Sequence, residues 1–220
     1  MDYIVAVVPV RKNSQRVKNK NFKNFVGKNL LIHKIITLKK LKFLDRIIIN
    51  TDSKMAINIA KENNVSYHLR DKYFSSSKCL NSDFWQHIAF VTNAKYIMFT
   101  NCTSPLVKFS TYVKFYNFFK KNCSKYDSFN TVTSLKEFIY FKNKAMNFNP
   151  NKAPNSQNLK EILKINFAIN IISKKIMYKK KSLIGNNPYF FPLSEIEGYD
   201  VNYPFEFEYA EYLFKKFYLK

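Results

Sequence analysis

The residues best suited to chemistry lie close together near the start of the chain. The segment RKNSQRVKNKN, from Arg11 to Asn21, carries Arg11, Lys12, Arg16, Lys18 and Lys20. Asn13 and Ser14 fall where a left-handed backbone or a phosphate oxygen is accommodated. Cations crowded into one loop have a ready use, which is to neutralise and orient a polyphosphate. Such a loop needs a rigid support. The run Ile4 to Val8 is short, apolar and rich in β-branched residues, as expected of a parallel strand buried on both faces, and Pro9 ends it.

The formal charge of +22 across 220 residues would by itself favour a nucleic-acid partner. Composition argues against that use. Of the 37 basic residues only four are arginine, and Asn, Ile, Phe and Tyr are abundant, a bias that inflates lysine throughout. Most lysines, Lys12 and Lys18 among them, therefore read as solvated surface, and neither a nucleic acid nor a membrane is expected as partner. The arginines that survive such a bias are those whose planar fork is needed. Arg11 and Arg16 lie in the loop, Arg70 ends a predicted strand, and Arg46 opens another.

Behind these residues, apolar strands alternate with helical patterns, which predicts an α/β fold with a mainly parallel sheet flanked by helices. The expected order is a helix from Leu30 to Lys42, a strand from Arg46 to Asn50, a helix through Lys61 with Thr51, Asp52 or Ser53 as cap, and a strand from Val65 to Leu69. A helix from Asp83 to Thr92, a strand from Tyr96 to Thr100, a helix from Ser110 to Lys121 and a strand from Ser128 to Val132 follow. The pattern lapses between Leu135 and Lys164, where the chain is aromatic and Asn-rich. It resumes with a strand from Asn166 to Ile172, a helix from Lys174 to Lys180, a strand from Pro188 to Phe191 and a helix from Pro204, which suits a first helical turn, to Phe217.

The three cysteines, Cys79, Cys102 and Cys123, share no CxxC spacing, so a disulfide framework and a zinc site are not expected, and a reducing cytoplasm is the expected setting. His33, His68 and His87 are equally scattered. The first apolar run is too short for a signal peptide and no segment reaches transmembrane length.

PVRKNSQRVKNKN resembles the nucleotide-binding signature of the CMP-sugar synthetases, roughly Ala-Arg-Gly-Gly-Ser-Lys-Arg-Ile-Pro-x-Lys-Asn, with Arg11, Ser14, Arg16, Lys20 and Asn21 in register and Lys12 and Asn13 at the two glycines. Further likenesses follow in order. NTDS (Asn50 to Ser53) resembles the family's Ser-Thr-Asp, LRD (Leu69 to Asp71) its Leu-Arg-Pro, and TNCTSPL (Thr100 to Leu106) its Leu-Gln-Pro-Thr-Ser-Pro-Leu. YDVNYPFEFEYAE (Tyr199 to Glu211) resembles its Ile-Asp-Ile-Asp ending. TNCTSPL lacks the acidic residue expected of the Kdo enzymes, so the likeness is to the sialic, legionaminic and pseudaminic acid synthetases.

The resemblance implies a Rossmann-like nucleotidyltransferase fold over residues 1–220 as one domain, with an insertion at about 135–165 that serves a homodimer. It implies that CTP is attacked at its α-phosphate by a nonulosonic acid, with pyrophosphate leaving. Lys20, Arg11 and Asp200 are then the catalytic candidates, and Ser14, Arg16, Asn21, Arg70 and Asn81 join Lys20 and Arg11 around CTP. For the sugar the candidates are Asn101, Thr103, Ser104, Gln157 and Asn166. Mg²⁺ is the implied cofactor, with Asp200 and Asn202 as ligands, although Asn202 stands where the family has a second aspartate. Phe167 stands where it has a glycine after Asn166. Two other readings stay open: a basic nucleic-acid-binding protein, and a degenerate homologue that binds CTP without turnover.

Overall fold

In the computed structural model, residues 1–12 and 16–219 are described. The chain runs β1 (Asp2–Val10), β2 (Asn24–Phe25), β3 (Lys28–Asn29), α1 (Leu30–Lys39), β4 (Arg46–Thr51), α2 (Lys54–Glu62), β5 (Ser66–Leu69), α3 (Lys72–Ser75), α4 (Asn81–Val91), β6 (Ala94–Phe99) and α5 (Phe109–Asn122). It continues with β7 (Ser128–Leu135), β8 (Tyr140–Phe141), β9 (Lys144–Ala145), β10 (Ile162–Ser173), α6 (Lys174–Lys180), β11 (Pro188–Pro192) and α7 (Pro204–Tyr218). Seven strands form one sheet in the order β11-β7-β10-β6-β1-β4-β5. The expected mixed α/β class is what the chain adopts, with one strand reversed: β10 pairs antiparallel to both β6 and β7, and all other neighbours are parallel.

The central strand shows why the apolar pattern works. Ile4, Ala6, Val8 and Val10 of β1 enter one core and Val5 and Val7 enter the other, as a period of two dictates when both faces are covered. The first core takes the apolar sides of α1, α2, α5 and α7; the second takes those of α4 and α6. Caps fix where helices begin. Asn29 Oδ1 accepts from Ile32 N at 2.9 Å to start α1, and Ser53 Oγ accepts from Ala56 N at 3.4 Å to start α2. At α7, Pro204 occupies the first turn as expected, and Glu206 Oε2 accepts from both Tyr203 N and Asn202 N.

Several boundaries differ from expectation by a few residues, α1 ending at Lys39 and α4 beginning at Asn81 among them, and two of the shifts redraw the middle of the chain. Strand β7 extends to Leu135, and β10 begins at Ile162, because Ile162 to Ile165 pair with β7 before the register shifts between Ile165 and Asn170. The segment between β7 and β10, residues 136–161, is thus shorter than the lapse in pattern from Leu135 to Lys164. In it β8 and β9 form a small ribbon, and Asn147 bonds Glu137 O, Ile139 N and Lys160 O to hold its base together. Within the register shift Phe167 sits at φ 53, in the left-handed region that a bulky side chain enters at a cost on the order of 1–3 kcal/mol.

Candidate active site

A cleft of about 360 Å³ opens where β1, β5 and β6 end, at the carboxyl edge of the sheet where open α/β folds bind ligands. Arg11, Arg16, Lys20, Asn21, Arg70, Asn81, Asn101 and Thr103 all line it, contributed by separate segments. Ser14 lies outside the described residues. Lys12 and Lys18 are exposed, and Lys12 is engaged through its backbone N–H with Asp52 at 2.8 Å. Three of the four arginines therefore meet in the cleft, and Arg46 stands apart with a bond to Asn93 O.

Each cation is held from behind. Lys20 Nζ donates to Val201 O at 2.5 Å, and Val201 N donates to Thr103 O at 2.8 Å, so the cation loop, the loop after β6 and the entry to α7 are tied together. Burial pushes the Lys20 ammonium below its ordinary pKa, with Asp200 pulling it back up and Arg16 adding to the fall. Arg16 lies 5.4 Å from the centre of the Tyr203 ring, and Arg11 Nη1 donates to Ser75 O at 3.4 Å. Asn21 lines the cleft, and its buried Oδ1 has no hydrogen-bond partner among the described residues.

Arg70 is fixed most completely. Its Nε donates to Asn50 Oδ1 at 2.7 Å and its Nη2 to Asn50 O at 2.6 Å, while the guanidinium lies 4.4 Å over Phe84. Burial lowers its pKa to about 10. Since Asn50 Oδ1 is an acceptor here, its Nδ2 must donate to His68 Nδ1, at 3.1 Å, which requires His68 to be neutral with its proton on Nε2. Burial, then Arg70, lower the His68 pKa in agreement with that polarity. His87 stacks on Phe74 of the cleft wall at 3.8 Å, and burial followed by His68 and Arg70 lowers it to about 4.

Asp200 stands beside the cleft next to Lys20 and Thr103. Burial raises its pKa, and the nearby Thr103 hydroxyl and the Asn202 amide, which donates to Oδ2 at 2.9 Å, draw it back down. Oδ1 is buried without a partner in bonding geometry. A carboxylate with one uncommitted oxygen fits a magnesium ion that takes its remaining ligands from phosphates and water. No cluster of three or more His, Cys, Asp or Glu is found among the described residues.

Three expected sugar contacts are not brought to the cleft. Ser104 is fully buried beneath it, its carbonyl accepting from Lys34 Nζ at 3.1 Å. Asn166 is buried too, because its Oδ1 accepts from Thr131 Oγ1 at 2.7 Å and from Ala168 N at 3.2 Å to stabilise the register shift. Gln157 is exposed on a short turn in the segment between β9 and β10. Sequence reasoning in turn missed Asn50 as the seat of Arg70, and Phe84, Trp85 and Phe167 as walls. The NTDS likeness pointed to Asn50 without its partner, and the departure at Phe167 was the signal for that wall.

The family profile described as cytidylyltransferase matches residues 5–218. A Campylobacter coli protein named post-translational flagellin modification protein B is 23% identical over 98% of this chain and 97% of its own. A CMP-N,N'-diacetyllegionaminic acid synthase from Legionella pneumophila is 35% identical over 26% of this chain and 25% of its own. Among solved structures, a CMP:2-keto-3-deoxy-manno-octonic acid synthetase complexed with CTP superposes with a TM-score of 0.70 at 12% identity, over 98% of this chain and 99% of that one. A 4-diphosphocytidyl-2C-methyl-D-erythritol synthase from Anaerococcus prevotii gives 0.68 at 12% identity over 97% and 96%. At such identity the likeness is one of fold.

Proposed function

This chain belongs to the cytidylyltransferase family, and from that premise we propose that it makes a CMP-activated nonulosonic acid from CTP and the free sugar. The reading is supported by the names of its relatives, which include an N-acylneuraminate cytidylyltransferase of Escherichia coli, 26% identical over 46% of this chain and 25% of its own. The single observation that carries it is the convergence of Arg11, Arg16, Lys20 and Arg70 at one cleft, with the Asp200 carboxylate beside Lys20 and Thr103 at its border.

In this reading the anomeric hydroxyl of the sugar attacks the α-phosphorus of CTP, a C–O–P bond forms, the α–β bridging bond breaks, and pyrophosphate and a proton leave. Arg11, Arg16, Ser14 and Lys20 hold the triphosphate, and Lys20, steered by Val201 O, offers its ammonium to charge that develops in transfer. Arg70, Asn21 and Asn81 hold the cytidine. Asn101 and Thr103 meet the sugar, with Gln157 a contact across a homodimer. Asp200, positioned by Asn202, would hold Mg²⁺. When bound, the ion neutralises phosphate charge and favours in-line geometry.

No helix among the described residues is long and apolar enough to cross a membrane, and we place the reaction in the cytoplasm, where CTP is made. The test is CTP-dependent pyrophosphate release with a panel of nonulosonic acids. Release with at least one acid, absent with the sugar omitted, is expected; silence with every acid overturns the proposal.

A further inference from the structure

We propose that the acceptor carries a methyl group, in place of a hydroxymethyl group, at the end of its tail farthest from the reacting carbon, and that Phe167 and Trp85 form the apolar wall that selects it. The inference rests on the reading that the acceptor is a nonulosonic acid.

The sheet order assigns the two ends of the cleft. Arg70 follows β5 and Lys20 lies in the loop after β1, two strands away; Phe167 belongs to β10, two strands from β1 on the opposite side. At about 4.8 Å per strand, each side reaches roughly 10 Å from the central loop. With the base at Arg70 and the reacting phosphate at Lys20, the acceptor occupies the β6 and β10 side. Its reacting hydroxyl is at the phosphates, so the far end of its tail is what reaches β10.

That side is walled by rings. Phe167 and Trp85 both line the cleft with centroids 6.0 Å apart, and buried Phe99 lies in the same lining. The cations of the lining, Arg11, Arg16, Lys20 and Arg70, belong to the central loop and the β5 side. The polar groups of that side, Asn101 and Thr103, lie in the loop after β6, so a terminal hydroxyl carried past them onto the Phe167 and Trp85 rings gives up water for no partner there, whereas a methyl group gains by burial. The backbone adds an independent observation. Phe167 stands at φ 53, where glycine or asparagine would rest without strain, so this position carries a bulky ring at a conformational cost, and strain of this kind collects at functional sites.

The experiment compares two nonulosonic acids identical except for a terminal methyl or hydroxymethyl group. In the wild-type enzyme, kcat/KM is expected to favour the methyl acid by about tenfold or more, the scale at which apolar pockets discriminate. In Phe167→Gly, and in Phe167→Asn, which also tolerates the backbone, the preference should fall toward parity. Trp85 is the one tryptophan of the chain, so its emission reports directly on the wall. Titration of each acid into the CTP-saturated enzyme without divalent cation should shift that emission at lower concentration for the methyl acid. Equal use of the two acids, preference for the hydroxymethyl acid, or a preference that survives both variants overturns the inference. Absence of turnover with either acid defeats the functional reading instead; the Trp85 titration then decides the wall by itself, and emission blind to both acids overturns it as well.

Discussion

Removal of the Lys20 ammonium should lower kcat by about 10²-fold or more, because a preorganised charge at a phosphoryl-transfer centre contributes several kcal/mol to the transition state. Lys20→Ala should melt close to the wild type, since the ammonium is partly desolvated and its burial already works against it. Steady-state kinetics beside a thermal melt checks both parts. A second expectation concerns Asn50, which does not line the cleft. Asn50→Ala takes away the acceptor of Arg70 Nε and severs His68 from the network, so the guanidinium loses its aim. The KM for CTP should rise by about tenfold, the scale of one charged hydrogen bond, with a smaller change in kcat. The opposite split would make Asn50 a determinant of the chemical step. Arg70 itself was legible in the sequence, because an arginine is conspicuous where lysine is the default. Its seat was not, since the polarity of the Asn50–His68 bond depends on two strands meeting side by side.

Among the elements, the entry to α7 couples stability to the site. Glu206 accepts both Asn202 N and Tyr203 N, while Asn202 donates to Asp200. Glu206→Ala should cost about 1 kcal/mol as a lost cap, and a lower melting temperature should be joined by reduced activity as the Asp200–Asn202 turn loosens. Unaltered kinetics in a destabilised variant would separate the cap from the site. The strands and helices that position the cleft were readable because their signals are local: β-branched runs on β1 and β4, Ser53 as a cap, Pro204 in a first turn. β10 was read four residues short at its start. The residues Ile162 to Ile165 carry a plausible strand pattern, but the interruption at Phe167 separates them from Asn170, and pairing with β7 is a long-range fact. For the same reason Asn166 reads as a sugar contact, whereas its amide oxygen is engaged by Thr131 and Ala168 at the interruption itself.

At the scale of the molecule, pH enters through half-buried histidine. Outside the folded chain His87 takes up its proton near 6.5, but within it only near 4. Between those values the unfolded chain binds more protons, so stability is complete above about pH 6.5 and declines as pH falls toward 4, with His68 contributing in the same direction. His87→Phe, which keeps a ring against Phe74, should flatten the melting temperature across that window, as measured by thermal unfolding from pH 7 to 4. The border of the sheet at β11 has a different kind of consequence. Leu193 N donates inward to Val132 O, so the alternate amides facing away from β7 belong to positions 188, 190 and 192. Pro188 and Pro192 hold two of those positions and have no hydrogen to give. A passing strand would find a single donor, at Phe190, along this margin. Addition of a further strand at this margin therefore lacks two of its three donors, although three carbonyls still accept, which disfavours joining two copies by lengthening the sheet at that end.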